Sequence, residues 1–271
     1  MTSLIAWIAI DQRAPSAFYM AADSRISWGS GNARWDAGRK LFICRQHPDL
    51  FGYVGDVVFP SSVLGQITEA ADTGLLFQKN DNSETKHRKF ISALTTSFNR
   101  RHNAPDVGFM ILHGSRDFSG PKAQFRLWCQ SFSARSKSWS ELEVEVPTRQ
   151  SSLLAAYGTG ARSVITHTLE WNASDQGGTS RAIFSAFCDS IQSAADPFSG
   201  GVPQLIGMHH TRLPQIFGVV QDNQRYFQGF PLSQEIESGA IEWRDELFQR
   251  IDGQTLQILE GAQRHTRPPS R

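Results

Sequence analysis

The chain begins Met1-Thr2-Ser3 and passes at once into Leu4-Ile5-Ala6-Trp7-Ile8-Ala9-Ile10, an apolar run that no polar residue breaks. Chain ends are costly to order unless they are tied into a sheet. A run apolar at every position, rather than at alternate ones, predicts a strand buried on both faces. It is too short to span a membrane and lacks the basic flank of a signal peptide. The first ordered element thus starts almost at the chain's first residue and holds Thr2 at the rim of the core. Thr2 is small, the kind of neighbour from which an initiator methionine is trimmed. A mature Thr2 would join a free α-amine and a β-hydroxyl on one residue, a nucleophile carrying its own general base.

Downstream, residues 11–16 read as a polar turn and residues 17–22 as the returning strand, halted by Asp23-Ser24-Arg25. A Gly- and Ser-containing stretch at 29–31 leads to a strand at 40–44, and a turn at His47-Pro48-Asp49 to another at 50–56. Together these predict one antiparallel meander. At Pro60 the apolar period lengthens to that of a helix through Val63 and Ile67, with a loop over 78–86 and a second helix through Phe90, Leu94 and Phe98, ending near Arg100-Arg101. Strands are expected at 107–113, 125–131, 141–146 and 153–157, the last stopped by Gly158-Thr159-Gly160. Helices follow at 164–171 and 181–195, the second striped by Ile183, Phe184, Phe187 and Ile191. Asp196-Pro197-Phe198-Ser199-Gly200-Gly201 is a loop. Strands at 202–209, 215–220 and 226–230 and a helix at 243–259 complete the pattern.

That order predicts an α+β fold: a four-layer α-β-β-α sandwich of two stacked antiparallel sheets, each covered by a helix pair. No Pro/Gly-rich linker divides the chain, so residues 1–263 are expected to form a single domain, with 264–271 a disordered tail. The net charge of +1 gives no general affinity for nucleic acid or an acidic membrane. Cys44, Cys129 and Cys188 match no zinc or disulfide spacing and suit a reducing, cytoplasmic setting. His209 and His210 are adjacent on an expected strand and so point apart, which argues against a metal. No phosphate loop, dinucleotide fingerprint or nucleophile elbow is present, and no cofactor is expected. Lys86, Arg88, Lys89, Arg100 and Arg101 read as a solvated helix face.

Taken singly, Lys40 is a strand-end lysine, Asp23 a turn residue, Asp196 a loop residue and Gly55 a turn glycine. Their order behind Thr2 gives them more meaning. Thr2 with its strand, Ala21-Ala22-Asp23-Ser24-Arg25, Lys40-Leu41-Phe42, Tyr53-Val54-Gly55, Gly158-Thr159-Gly160 and the 196–201 loop together resemble a proteasome β-type subunit. That family belongs to the N-terminal-nucleophile hydrolases and includes the HslV peptidase; the resemblance spans roughly residues 2 to 230.

The resemblance implies a threonine endopeptidase. Thr2 would be the nucleophile, Lys40 the buried cation that eases its ionisation, and Asp23 the carboxylate partner of that lysine. The backbone N–H of Gly55 would be the oxyanion donor. Thr159, Asp196 and Ser199 would hold the threonine amine, Thr159 standing where the family usually has serine. Tyr53 falls where the family lines the floor of its primary specificity pocket, implying a shallow pocket and cleavage after small residues. The first hairpin and the stretch at 74–89 are longer than the family's, and Pro197-Phe198 replaces small residues. With no propeptide before Thr2, activation would need only loss of Met1. The resemblance further implies a homo-oligomeric ring, peptide or unfolded-protein substrates, and access controlled by an ATPase unfoldase. Two other readings stay open: an inactive scaffold of the same fold, and an amidase acting on a small molecule.

Overall fold

The computed structural model describes residues 2–11, 14–29, 33–103 and 105–267. Met1, residues 12 and 13 of the expected first turn, and two of the three residues at 29–31 lie outside them. The chain runs β1 (Leu4–Ile10), β2 (Pro15–Ala22), a small hairpin of β3 (Ile26–Trp28) and β4 (Ala33–Trp35), β5 (Leu41–Ile43) and β6 (Asp49–Gly55). Helices α1 (Val58–Asp72) and α2 (Ser83–Phe98) follow. Next come β7 (Phe109–Asp117), β8 (Gln124–Ser133), β9 (Ser138–Val144) and β10 (Ser152–Tyr157), then α3 (Ala161–Asn172) and α4 (Ser180–Gln192). The chain ends with β11 (Gln204–His209), β12 (Gln215–Gln221), β13 (Gln224–Phe227), β14 (Phe230–Leu232), β15 (Trp243–Asp245) and β16 (Arg250–Ile251).

The fold is α+β. One sheet is ordered β10-β1-β2-β11-β12-β13-β14, with β15 added parallel to β12 and β16 beyond it; the other is ordered β5-β6-β7-β8-β9 and is antiparallel throughout. The unbroken apolar character of β1 follows from its place inside the first sheet. Leu4, Ala6 and Ile8 pack with Leu41, Leu50, Leu112 and Leu127 of the second sheet. Ile5 and Trp7, on the opposite face, pack with Val164 of α3 and Phe184 and Phe187 of α4. On the second sheet, Phe51, Tyr53 and Ile111 face Val63, Ile67, Phe90 and Leu94 of α1 and α2.

The expected single meander is instead split between the sheets. β1 and β2 pair in one, β5 and β6 in the other, and residues 23–40 cross between them. The crossing is anchored by Asp23, whose carboxylate accepts the backbone N–H groups of Ser3, Arg25 and Gly200. The second helix starts inside the expected loop because Asn82 caps it, its side chain accepting from Thr85 N, while Asp117 takes the Ser83 N–H. Lys86 is therefore not on a solvated face: it is 2% exposed and pairs with buried Asp49 at 2.5 Å.

The helix expected at 243–259 does not form. Trp243 packs on Gly218, where a Cβ would lie 2.2 Å from its ring. Asp245 accepts the N–H groups of Leu247 and Gln249, and Asp252 those of Gln254 and Thr255. These side-chain turns satisfy the backbone locally and compete with helix. Of the expected disordered tail, His265 N donates to Gln249 Oε1, and Arg267 pairs with Asp189 and Glu246; residues 268–271 lie outside the described residues. No helix among the described residues is long and apolar enough to cross a membrane.

Candidate active site

The six residues Thr2, Asp23, Lys40, Thr159, Asp196 and Ser199 come from five separate chain segments, and the fold brings them into one connected hydrogen-bond network. Lys40 precedes β5 and is 1% exposed; its Nζ donates to Thr2 Oγ1 at 2.8 Å, Asp23 Oδ1 at 2.7 Å and Arg25 O at 2.5 Å. All three ammonium hydrogens thus have acceptors, the condition for keeping a buried charge. Burial pushes the Lys40 ammonium below its ordinary value, and the charge of Asp23 and its hydrogen bond oppose that shift.

On the other side of the threonine, Thr2 N donates to Thr159 Oγ1 at 3.3 Å. Thr159 Oγ1 in turn donates to Asp196 Oδ2 at 2.5 Å, which also accepts from Ser199 Oγ at 2.7 Å. Threonine at 159 thus places one hydroxyl between the Thr2 N–H and the Asp196 carboxylate. Gly158 is required here: its φ is +97°, and a Cβ would lie 1.9 Å from the Thr2 carbonyl oxygen.

Gly55 ends β6 at φ +96° and, with Thr159, lines a cleft of about 420 Å³ whose other walls include Gly108, Phe109, Met110 and Phe132. Its volume is within the range of small-ligand sites. Tyr53 does not line that cleft. Its ring is 1% exposed and packs in the core beneath α1, and its hydroxyl donates to Arg39 O at 3.2 Å. Strand alternation explains the difference: Tyr53 and Phe51 share the helix-facing side of β6. Among the described residues no group of three or more His, Cys, Asp or Glu side chains could hold a metal. β11 ends at His209, so strand alternation does not separate the His209 and His210 rings, which meet edge-on with centroids 4.3 Å apart.

Three participants were not singled out from the sequence. Ser3 Oγ lies 2.9 Å from Ser199 Oγ and extends the hydroxyl chain. Arg25 pairs with Asp36 at 2.8 Å and donates to the carbonyls of Pro197 and Ser199, clamping the 196–201 loop. Gln204, at the start of β11, bonds to the backbone of Asp23, Gly38 and Lys40. Its signal was a polar residue at the head of an otherwise apolar run, Leu205-Ile206-Gly207-Met208.

No protein-family model matches the chain, and no curated protein matches it. Among solved structures it is similar to a eukaryotic HslV from Trypanosoma brucei, at 10% identity and a TM-score of 0.49, over 76% of this chain and 99% of that one. At that identity and score the likeness carries no chemical information.

Proposed function

We propose that the chain is an N-terminal threonine peptidase of proteasome type, active once Met1 is removed. The observation that carries the reading is the 2.8 Å contact between Lys40 Nζ and Thr2 Oγ1, with Asp23 behind the lysine. A hydroxyl beside a buried, paired ammonium is easier to ionise than one in water. In the processed chain the Thr2 α-amine, directly or through a water, takes the Oγ1 proton as Oγ1 attacks a peptide carbonyl carbon. The Gly55 N–H receives the developing oxyanion. Collapse breaks the C–N bond, the departing amine takes the proton, and water hydrolyses the resulting ester to free Thr2. Thr159, Asp196 and Ser199 orient the amine through these steps.

The sequence of three apolar cores, one between the sheets and one under each helix pair, supports a four-layer sandwich. The motif resemblance supports peptide or unfolded-protein substrates, assembly into a homo-oligomeric ring in the cytoplasm, and an ATPase unfoldase as gatekeeper. A second reading, an inactive scaffold subunit, is favoured by the burial of Thr2, which is 3% exposed. Intact-mass measurement with and without a threonine-directed electrophile separates the two. Loss of one methionine and a single adduct that Thr2→Ala abolishes support the peptidase; a retained methionine and no adduct support the scaffold.

A further inference from the structure

The Gln204 side chain is wholly buried, and a buried amide is costly unless its groups are bonded. Here Oε1 accepts the Lys40 N–H at 3.0 Å, while Nε2 donates to Asp23 O at 3.1 Å and Gly38 O at 2.7 Å. The amide's orientation follows from its partners, since one is a donor and two are carbonyls. One side chain from β11 therefore ties together both ends of the 23–40 crossing. These are the two places where the ion pair behind Thr2 leaves the backbone. The turn between β13 and β14 closes over the same spot: a Cβ on Gly229, at φ +81°, would lie 2.6 Å from Ser24 Cβ and 3.6 Å from Gln204 Nε2.

We infer that Gln204 is a positioning residue for the reaction: it sets the separation of the Asp23 and Lys40 backbones and thereby the approach of Lys40 Nζ to Thr2 Oγ1. The inference rests on the threonine-nucleophile reading. Lys40 is a long side chain with four rotatable bonds, and its three contacts hold only if its Cα stays at a fixed distance from Asp23. Among the described residues none that lines the cleft hydrogen-bonds to the Gln204 side chain, so losing it should affect the chemical step rather than substrate binding. Small misplacements at a reacting centre cost on the order of a hundredfold in rate.

The test is Gln204→Leu in the processed, full-length protein, read by peptide turnover, by the rate of electrophile labelling at Thr2, and by the pH profile of kcat/KM. The expected result is labelling and kcat reduced roughly ten- to a hundredfold, KM unchanged, and the alkaline limb moved to lower pH as Lys40 loses support from Asp23. A folded Gln204→Leu protein with wild-type labelling rate and an unmoved limb would overturn the inference. If Gln204→Leu does not fold, Gln204→Glu decides by kcat and labelling rate, because it keeps the shape and loses both donors. Absence of labelling in the processed wild-type protein overturns the threonine reading itself, and this inference with it; wild-type labelling with an unaffected variant overturns this inference alone.

Discussion

The side-chain nitrogen of Lys40 stands 2.8 Å from the hydroxyl oxygen of Thr2, although 38 positions separate the two residues and neither belongs to a regular strand. Each is held by the end of a neighbouring strand, β1 for the threonine and β5 for the lysine, and these strands lie in different sheets. The contact is therefore a product of sheet stacking. Anything that lets the sheets slide should break it before it breaks the fold.

Removal of the ammonium should cut the chemistry sharply and also lower stability, because Asp23 stays buried without its counter-charge. Lys40→Ala leaves Asp23 with its three backbone donors, Ser3, Arg25 and Gly200, so the carboxylate stays satisfied apart from its ion pair. Peptide turnover is expected to fall by roughly a hundredfold or more, with an N terminus still processed by mass. Turnover within a few-fold of wild type would count against any catalytic role for this lysine.

The same burial makes a statement about pH. The Lys40 pKa lies below its ordinary 10.5, so in the folded protein the ammonium loses its proton earlier than a free lysine would on raising the pH. The kcat/KM profile should therefore descend on its alkaline side with a midpoint below 10.5. In Asp23→Asn the opposing charge is gone, and the midpoint should move further toward acid. A wild-type limb at or above 10.5, or one that Asp23→Asn moves upward, is the result that excludes Lys40 as the group titrating.

Gly158→Ala tests the other wall of the site. The new Cβ meets the Thr2 carbonyl at 1.9 Å in a backbone conformation that L residues avoid. The local strain is about 1–3 kcal/mol, and its relief must push Thr2 off Thr159. A folded variant is expected to lose labelling at Thr2. Normal labelling would show that the approach of the two segments is not needed for reactivity.

How much of this was legible in advance depends on what each residue does. β1 could be read to the residue because burial on both faces leaves a continuous apolar run. Asp23, Lys40 and Thr159 could be named only because they recur in order behind Thr2, since each alone looks like a loop or strand-end residue. Tyr53 was misplaced because its side chain's face depends on strand alternation against a helix that the motif does not contain. Lys86 was misread because a basic residue on a polar helix gives no sign that an aspartate, 37 positions earlier, is buried beneath it. The helix expected at 243–259 fails because Asp245 and Asp252 bind their own backbone, a local preference that the residue pattern does not display.

Acid stability should be set by a second buried cluster, built from β6, β7 and α2. His87 Nδ1 lies 2.9 Å from His113 Nδ1, His113 Nε2 lies 3.0 Å from Asp49, and Lys86 pairs with the same carboxylate. The His87 ring stacks on Trp128 at 4.4 Å. Burial first, then His113 and Arg126, push the His87 pKa from 6.5 down to about 3. Because the folded value lies below the unfolded one, the folded chain binds fewer protons between them, and stability must fall as pH drops from 6.5 toward 3. The loss is on the order of 1.4 kcal/mol per pH unit. The melting temperature should therefore decline between pH 7.5 and pH 5, by roughly several degrees. The decline should be smaller in His87→Gln, which keeps a donor for His113 but has no proton to gain. A melting temperature that does not change over this range, or an equal decline in the variant, would remove His87 from the account of acid sensitivity.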